Sequence, residues 1–143
     1  MAIRQLSVFV ENKPGTLAEV TDAISDAQID IRAMCMAETQ QFGLIRMIVD
    51  DVETAKQKLA DRNLFVKTTE VVGVAVDDEP GGLAKAVRIV GDAGINIDYL
   101  YAFISVSKKN AYVVIRVDDN AAAEKLLAEK GFKLVTESDI STL

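Results

Sequence analysis

Apolar and polar positions follow two different periods along the chain, one typical of strands and one typical of helices. The segment IRQLSVFVE, starting at Ile3, alternates apolar and polar residues, which predicts a half-buried strand. The next segment, GTLAEVTDAISDA, repeats its apolar residues at helical spacing, so we expect a helix with one buried face. The chain therefore begins with a strand that leads directly into a helix.

The following segments extend this pattern to six elements. IDIRAMCMAET and GLIRMIVD read as two strands, DDVETAKQKLADR as a helix that starts at Asp50 or Asp51, and LFVKTTE as a last strand. The order is β-α-β-β-α-β. It returns in the second half of the chain, where Lys108 and Lys109 are predicted to form the hairpin turn between the two middle strands.

An internal repeat explains why the order returns. Pro14-Gly15 matches Pro80-Gly81 at an offset of 66 residues, and the match continues through the helix that follows. After the middle hairpin the offset is 68, as expected for a slightly longer loop in the second copy. We interpret the chain as two domains, residues 1–70 and 71–143, with no flexible linker between them.

The β-α-β-β-α-β order predicts an α+β fold of two ferredoxin-like units. Each unit should have a four-stranded antiparallel sheet with two helices on one face and with the first and third strands in the centre. The expected core residues are Val8, Val10, Met47, Val49, Val74, Val76, Ile115 and Val117.

Composition narrows the function classes. The 143 residues carry a net charge of −6 and include no histidine, which excludes His-based catalytic triads and His metal sites. We expect no metal, no cofactor, no nucleic-acid or membrane partner and no enzymatic activity. A single cysteine, Cys35, and the lack of a signal-peptide pattern favour a cytoplasmic protein.

The repeated Pro-Gly turn is the candidate site. A strand that enters a helix through such a turn leaves backbone N–H groups at the helix start, and these can hold an anion. The alternative is a purely structural role, since Pro and Gly suit this turn without any ligand. Asn12, just before the turn, is similarly either a ligand contact or a residue that only stabilises the turn.

The motif Asn12-x-Pro14-Gly15-x-Leu17, placed between the first strand and the first helix, resembles the signature of the ACT domain. ACT domains are small regulatory modules that typically bind amino acids and control metabolic enzymes. The resemblance covers both copies and includes Gly94-Ile95-Asn96-Ile97 after the first helix of the second copy. It implies a non-catalytic regulatory protein that senses a small L-amino acid at the strand-to-helix loops and at domain interfaces.

The resemblance also implies a set of ligand-binding residues. They are Asn12, Pro14, Gly15, Thr16, Leu17, Asp30 and Ile31 in the first copy, and Asp78, Gly81, Gly82, Leu83, Asn96 and Ile97 in the second. Asp78 replaces the motif asparagine, which puts a negative charge beside a carboxylate site. One hypothesis is therefore a composite site, made by the loop of Asn12 and the strand of Asn96.

Two regulatory roles remain open. One is a free-standing amino-acid sensor. The other is the regulatory small subunit of an amino-acid biosynthetic enzyme, because LSVFVENKPGTLAEV resembles the start of the acetolactate synthase small subunit. The second strand of each copy is long, weakly charged and expected at a sheet edge, so we predict pairing of these edges, between copies or in a homodimer.

Overall fold

A computed structural model of the protein describes residues 2–104 and 110–143; the predicted Lys108-Lys109 turn lies outside these residues. Within them, the chain forms seven strands and five helices. In chain order they are β1 (Ile3–Glu11), α1 (Thr16–Asp26), β2 (Ile31–Glu38), β3 (Phe42–Val49), α2 (Val52–Asp61), β4 (Phe65–Asp77), α3 (Gly82–Asp92), β5 (Ile97–Ala102), β6 (Asn110–Val117), α4 (Asn120–Glu129), β7 (Lys133–Val135) and α5 (Glu137–Thr142).

The first compact unit is Arg4–Thr69. Its strand order is β2-β3-β1-β4, so β1 and β3 are central, as predicted, and β2 lies at the edge. In the antiparallel pair of β1 and β3, Leu6 lies opposite Met47 and Val8 opposite Ile45. These side chains share one core with the apolar faces of α1 and α2, which places both helices on the same face of the sheet.

The second compact unit is Glu70–Leu143, to which Ile3 also belongs. Its strand order is β5-β6-β4-β7, with β4 and β6 central. The core combines β4 and β6 with α3 and α4 in the same way. All eight predicted core residues are buried in the two clusters, and the predicted α+β fold is confirmed.

Two details differ from the sequence-based expectations. The last strand of the first copy and the first strand of the second copy form one continuous strand, β4, which contains the boundary between the units. The final strand, β7, has only three residues, and it is followed by α5, which we did not predict. Of the two predicted start residues of α2, the cap is Asp51, whose carboxylate accepts the Thr54 N–H, whereas the Asp50 carboxylate accepts the Asp30 N–H.

Candidate functional site

The loop between β1 and α1 is closed by its own hydrogen bonds. Gly15 is the N-cap of α1 and has a φ of 90°, a left-handed conformation that glycine adopts without strain. The Thr16 hydroxyl donates to the carbonyls of Glu11 (2.8 Å) and Lys13 (3.1 Å). Among the described residues no side chain caps α1, so the N–H groups of Leu17 and Ala18 at the helix start have no intrahelical acceptor.

Asn12 connects this loop to the hairpin between β2 and β3. Its backbone N–H donates to the Gln41 carbonyl at 2.9 Å, and its side-chain Nδ2 donates to the Thr39 carbonyl at 2.8 Å. Asn12 is therefore bonded to the hairpin rather than within its own turn. The bond to the Thr39 carbonyl uses one of the two hydrogens on Asn12 Nδ2.

A cleft of about 350 Å³ lies beside the loop, within the first unit. Thr16 is the only one of the predicted ligand residues among those that line it. The lining residues are Phe9, Val10, Glu11, Lys13, Thr16, Glu19, Phe42 and Leu64. The cleft thus combines an apolar wall with carboxylates and one ammonium group, a mixture suited to a small ligand that carries both charges.

The charged groups of the first cleft differ in whether they already form an ion pair. Lys13 Nζ and Glu11 Oε2 form an exposed ion pair at 3.0 Å, which is a weak and easily exchanged contact. The Glu19 carboxylate has no ion-pair partner among the described residues. Glu19 lies in the first turn of α1 and lines the cleft.

The equivalent loop of the second unit is tighter. Gly81 again has a left-handed φ, of 86°, but Gly82 stands where the first loop has Thr16. A Cβ atom on Gly82 would lie 1.9 Å from the Asp77 carbonyl oxygen, so no side chain fits there. The second loop consequently lacks the hydrogen bonds that the Thr16 hydroxyl makes in the first loop. Asp78, in the turn of the second loop, is exposed.

Leu17 and Leu83 lie in the first turn of α1 and α3 and are exposed, whereas four other predicted ligand residues, Asp30, Ile31, Asn96 and Ile97, lie beyond the other end of these helices. An 11-residue helix is about 16 Å long, so within one unit Asp30 and Asn96 are too far from the Pro-Gly loops to share a small ligand with them. Asp30 is also engaged locally, since its carboxylate accepts from Arg32 Nη1 at 2.6 Å. Asn96 Nδ2 donates to Asp98 at 2.9 Å.

The isoleucines at these strand starts have packing roles. Ile31 packs partly buried against the core of the first unit, and Ile97 does the same in the second. Among the described residues, no three or more His, Cys, Asp or Glu side chains form a group that could hold a metal ion. In the same part of the chain, no helix has the length and hydropathy needed to cross a bilayer.

Comparison with protein families gives a match over the whole chain: the model of the ACT domain pair covers residues 1–143. The chain belongs to this ACT domain pair family. The family predicted from the Asn12-x-Pro14-Gly15-x-Leu17 motif is thereby confirmed, and its domains are regulatory modules. A comparison with curated proteins finds none that matches.

Two solved structures resemble this ACT domain pair over most or all of its length. Protein BT0572 from Bacteroides thetaiotaomicron is 37% identical, with a TM-score of 0.92 and coverage of 100% of this chain and 98% of that one. The regulatory subunit of aspartate kinase from Thermus thermophilus, in its ligand-free form, is 16% identical with a TM-score of 0.63, over 92% and 94% of the two chains. This second likeness supports the fold.

Sequence reasoning missed most of the cleft. Glu19 and Leu64 are 45 positions apart in the sequence but line the same cleft, in a unit where β4 lies beside β1. Phe42 carried a local signal, since it is an aromatic residue beside a predicted hairpin, and it is 59% exposed.

Proposed function

We propose that this ACT domain pair is a non-catalytic regulatory protein and that it binds a small L-amino acid in the first cleft. The two ACT domains of the proposal are residues 1–70 and 71–143. The observation that supports it best is the composition of the cleft, where an unpaired carboxylate, an ammonium group and apolar side chains surround about 350 Å³ beside the Pro-Gly loop.

The chemistry of an amino acid matches these groups. Its α-ammonium would bind the Glu19 carboxylate, and its α-carboxylate would exchange with Glu11 for the ammonium group of Lys13. The helix start at Gly15, Thr16 and Leu17 adds a favourable dipole for the carboxylate. An apolar ligand side chain would rest on Leu64 and Phe42.

The other predicted ligand residues have defined places in this proposal. Pro14 and Gly15 shape the loop, and Asn12 holds the hairpin next to it through Thr39. Asp30 and Asn96 take part only if another domain brings them to the loop, since within their own unit they lie at the far end of the helix.

Isothermal titration tests the assignment of the ammonium site. We expect Glu19→Gln to weaken binding of the amino acid by about 1.5–3 kcal/mol, at least tenfold, because it removes a charged hydrogen-bond acceptor. Asp22→Asn is the matched control, since Asp22 is exposed on the same helix, outside the cleft, and loses the same charge. Equal affinities of Glu19→Gln and the wild type would contradict the assignment.

We further propose that the protein reports its ligand to an enzyme of amino-acid metabolism. The structure from Thermus thermophilus that shares the fold is the regulatory subunit of aspartate kinase. The regulatory role of ACT domains supports a similar role for this chain, as a regulator of a separate catalytic protein. A small-subunit role for acetolactate synthase is the alternative. It predicts that the purified catalytic subunit becomes sensitive to the amino acid only when this protein is added.

A homodimer through the sheet edges completes the proposal. Strands β2 and β5 are edge strands of their units, and their exposed apolar residues include Met36 and Leu100. Open apolar edges tend to pair with another chain. Sedimentation equilibrium should show a dimer of the 15.5 kDa chain that Leu100→Lys weakens; a monomer at all concentrations would refute the inter-chain pairing.

A further inference from the structure

The second unit contains a cleft at the position equivalent to the first one. The offset of 66 places Asp77 at the position of Glu11 and Lys85 at the position of Glu19, and the offset of 68 places Phe132 at the position of Leu64. This second cleft has a volume of about 600 Å³ and is formed by the end of β4, helix α3 and the loop from α4 to β7. The fold therefore builds the same recess twice.

The charges of the two clefts are opposite. The first cleft is lined by two carboxylates and one ammonium group. The second is lined by four cations, Lys85, Arg88, Lys130 and Lys133, and by one carboxylate, Asp77. Such a concentration of positive charge does not follow from composition, because the chain as a whole carries a net charge of −6.

The cations of the second cleft are available to a ligand. Lys85 and Lys130 are exposed and have no ion-pair partner among the described residues. Arg88 contacts Asp92 at 3.5 Å on the helix surface, with both side chains largely exposed. Lys133 is more engaged than the other three cations, since its Nζ lies 3.7 Å from the half-buried Asp139 carboxylate and 5.8 Å from the centre of the Tyr112 ring.

The geometry points to a binding site for a compact polyanion, a small molecule with at least two phosphoryl or carboxylate groups. The Arg88 guanidinium can hold either group through two parallel hydrogen bonds, and the lysines supply point charges around it. Asn110 adds an amide donor at the start of β6, and Ile89 and Phe132 are among the apolar residues that line the cleft. The protein would then bind two chemically different ligands in two equivalent recesses.

Titration of the full chain with pyrophosphate and with citrate, at constant ionic strength, tests this inference. We expect at least one of them to bind the wild type, and the double variant Lys85→Gln/Lys130→Gln to bind it at least about tenfold more weakly. Lys58→Gln/Lys67→Gln is the matched control, because both lysines are exposed, lie in the first unit and remove the same charge. Stronger binding of pyrophosphate indicates a phosphorylated ligand, and stronger binding of citrate a polycarboxylate.

A second measurement locates the site without relying on the variants. We expect the bound polyanion to protect Lys85 and Lys130, but not Lys58 and Lys67, from acetylation read out by mass spectrometry. The inference is overturned if neither anion binds the wild type, if both double variants lose affinity equally, or if all four lysines are protected alike. Since Glu19 is not involved, an amino-acid titration that fails in the first cleft leaves this result unaffected.

Discussion

Gly82→Ala is the substitution for which the structure makes the sharpest stability prediction. Gly82 is the first residue of α3, and alanine is ordinarily the better helix former by about 1 kcal/mol. The added Cβ, however, would lie 1.9 Å from the Asp77 oxygen and 2.9 Å from the Asp77 carbonyl carbon. These are backbone atoms of the end of β4, so the clash cannot be relieved by rotation of a side chain.

The magnitude follows from the displacement that is needed. An ordinary van der Waals contact is 3.4 Å or longer, so the loop must open by more than 1 Å at the start of the helix. Forced insertion of one carbon into a packed site costs typically 1–3 kcal/mol and occasionally more. We expect a net destabilisation of about 2–3 kcal/mol, opposite in sign to the helix-propensity effect.

Urea unfolding monitored by circular dichroism provides the assay, with Gly91→Ala as the control. Gly91 lies in the same helix, and a Cβ there would meet nothing within 4 Å, so this alanine should stabilise the protein by about 0.5–1 kcal/mol. The two substitutions should therefore shift the midpoint in opposite directions. If Gly82→Ala is as stable as the wild type, the close approach of Asp77 is wrong.

Two further predictions concern titratable groups. The Thr136 N–H donates to the Asp139 carboxylate and lowers the pKa of that carboxyl, so the ionised Asp139 stabilises the folded protein. This stabilisation is fully present above the pKa of an unfolded aspartate and is lost as the pH falls through the lower folded value. The urea midpoints of the wild type and Asp139→Asn should therefore differ at neutral pH and converge in acid, and a difference that does not change with pH would contradict this. Burial raises the pKa of the Cys35 thiol, and Arg46 partly offsets this effect. Because the thiolate is the reactive form, iodoacetamide should alkylate Cys35 more slowly than free cysteine at mildly alkaline pH. Equal alkylation rates would refute this prediction.

The sequence predicted the architecture well because the signals for it are local or repeated. The alternation around Val8 and the helical spacing after Gly15 define the elements, and the repeat of Pro14-Gly15 shows that the unit occurs twice. Helix α5 also carried a local signal that we missed, since Thr136 and Asp139 have capping-box spacing and form that box. A six-residue helix is too short for its apolar period to be visible.

The candidate site was less predictable because it depends on contacts between distant positions. Glu19 and Leu64 line one cleft in a unit where β4 lies beside β1, and a Pro-Gly motif carries no information about that strand pairing. The opposite charges of Glu19 and Lys85 were present in the sequence, at equivalent positions of the repeat. The structure adds that both residues line equivalent clefts, so the charge difference becomes a difference between two candidate binding sites.

A thermal-shift screen against the twenty L-amino acids tests the central claim most directly. An amino acid at about 100 times its Kd adds roughly 2.7 kcal/mol to the stability of the folded protein. We predict that at least one amino acid with an apolar side chain raises the Tm of the wild type, and that Glu19→Gln loses this shift while Asp22→Asn keeps it. If no amino acid raises the Tm at millimolar concentration, or if the shift is the same in Glu19→Gln, the first cleft is not an amino-acid site.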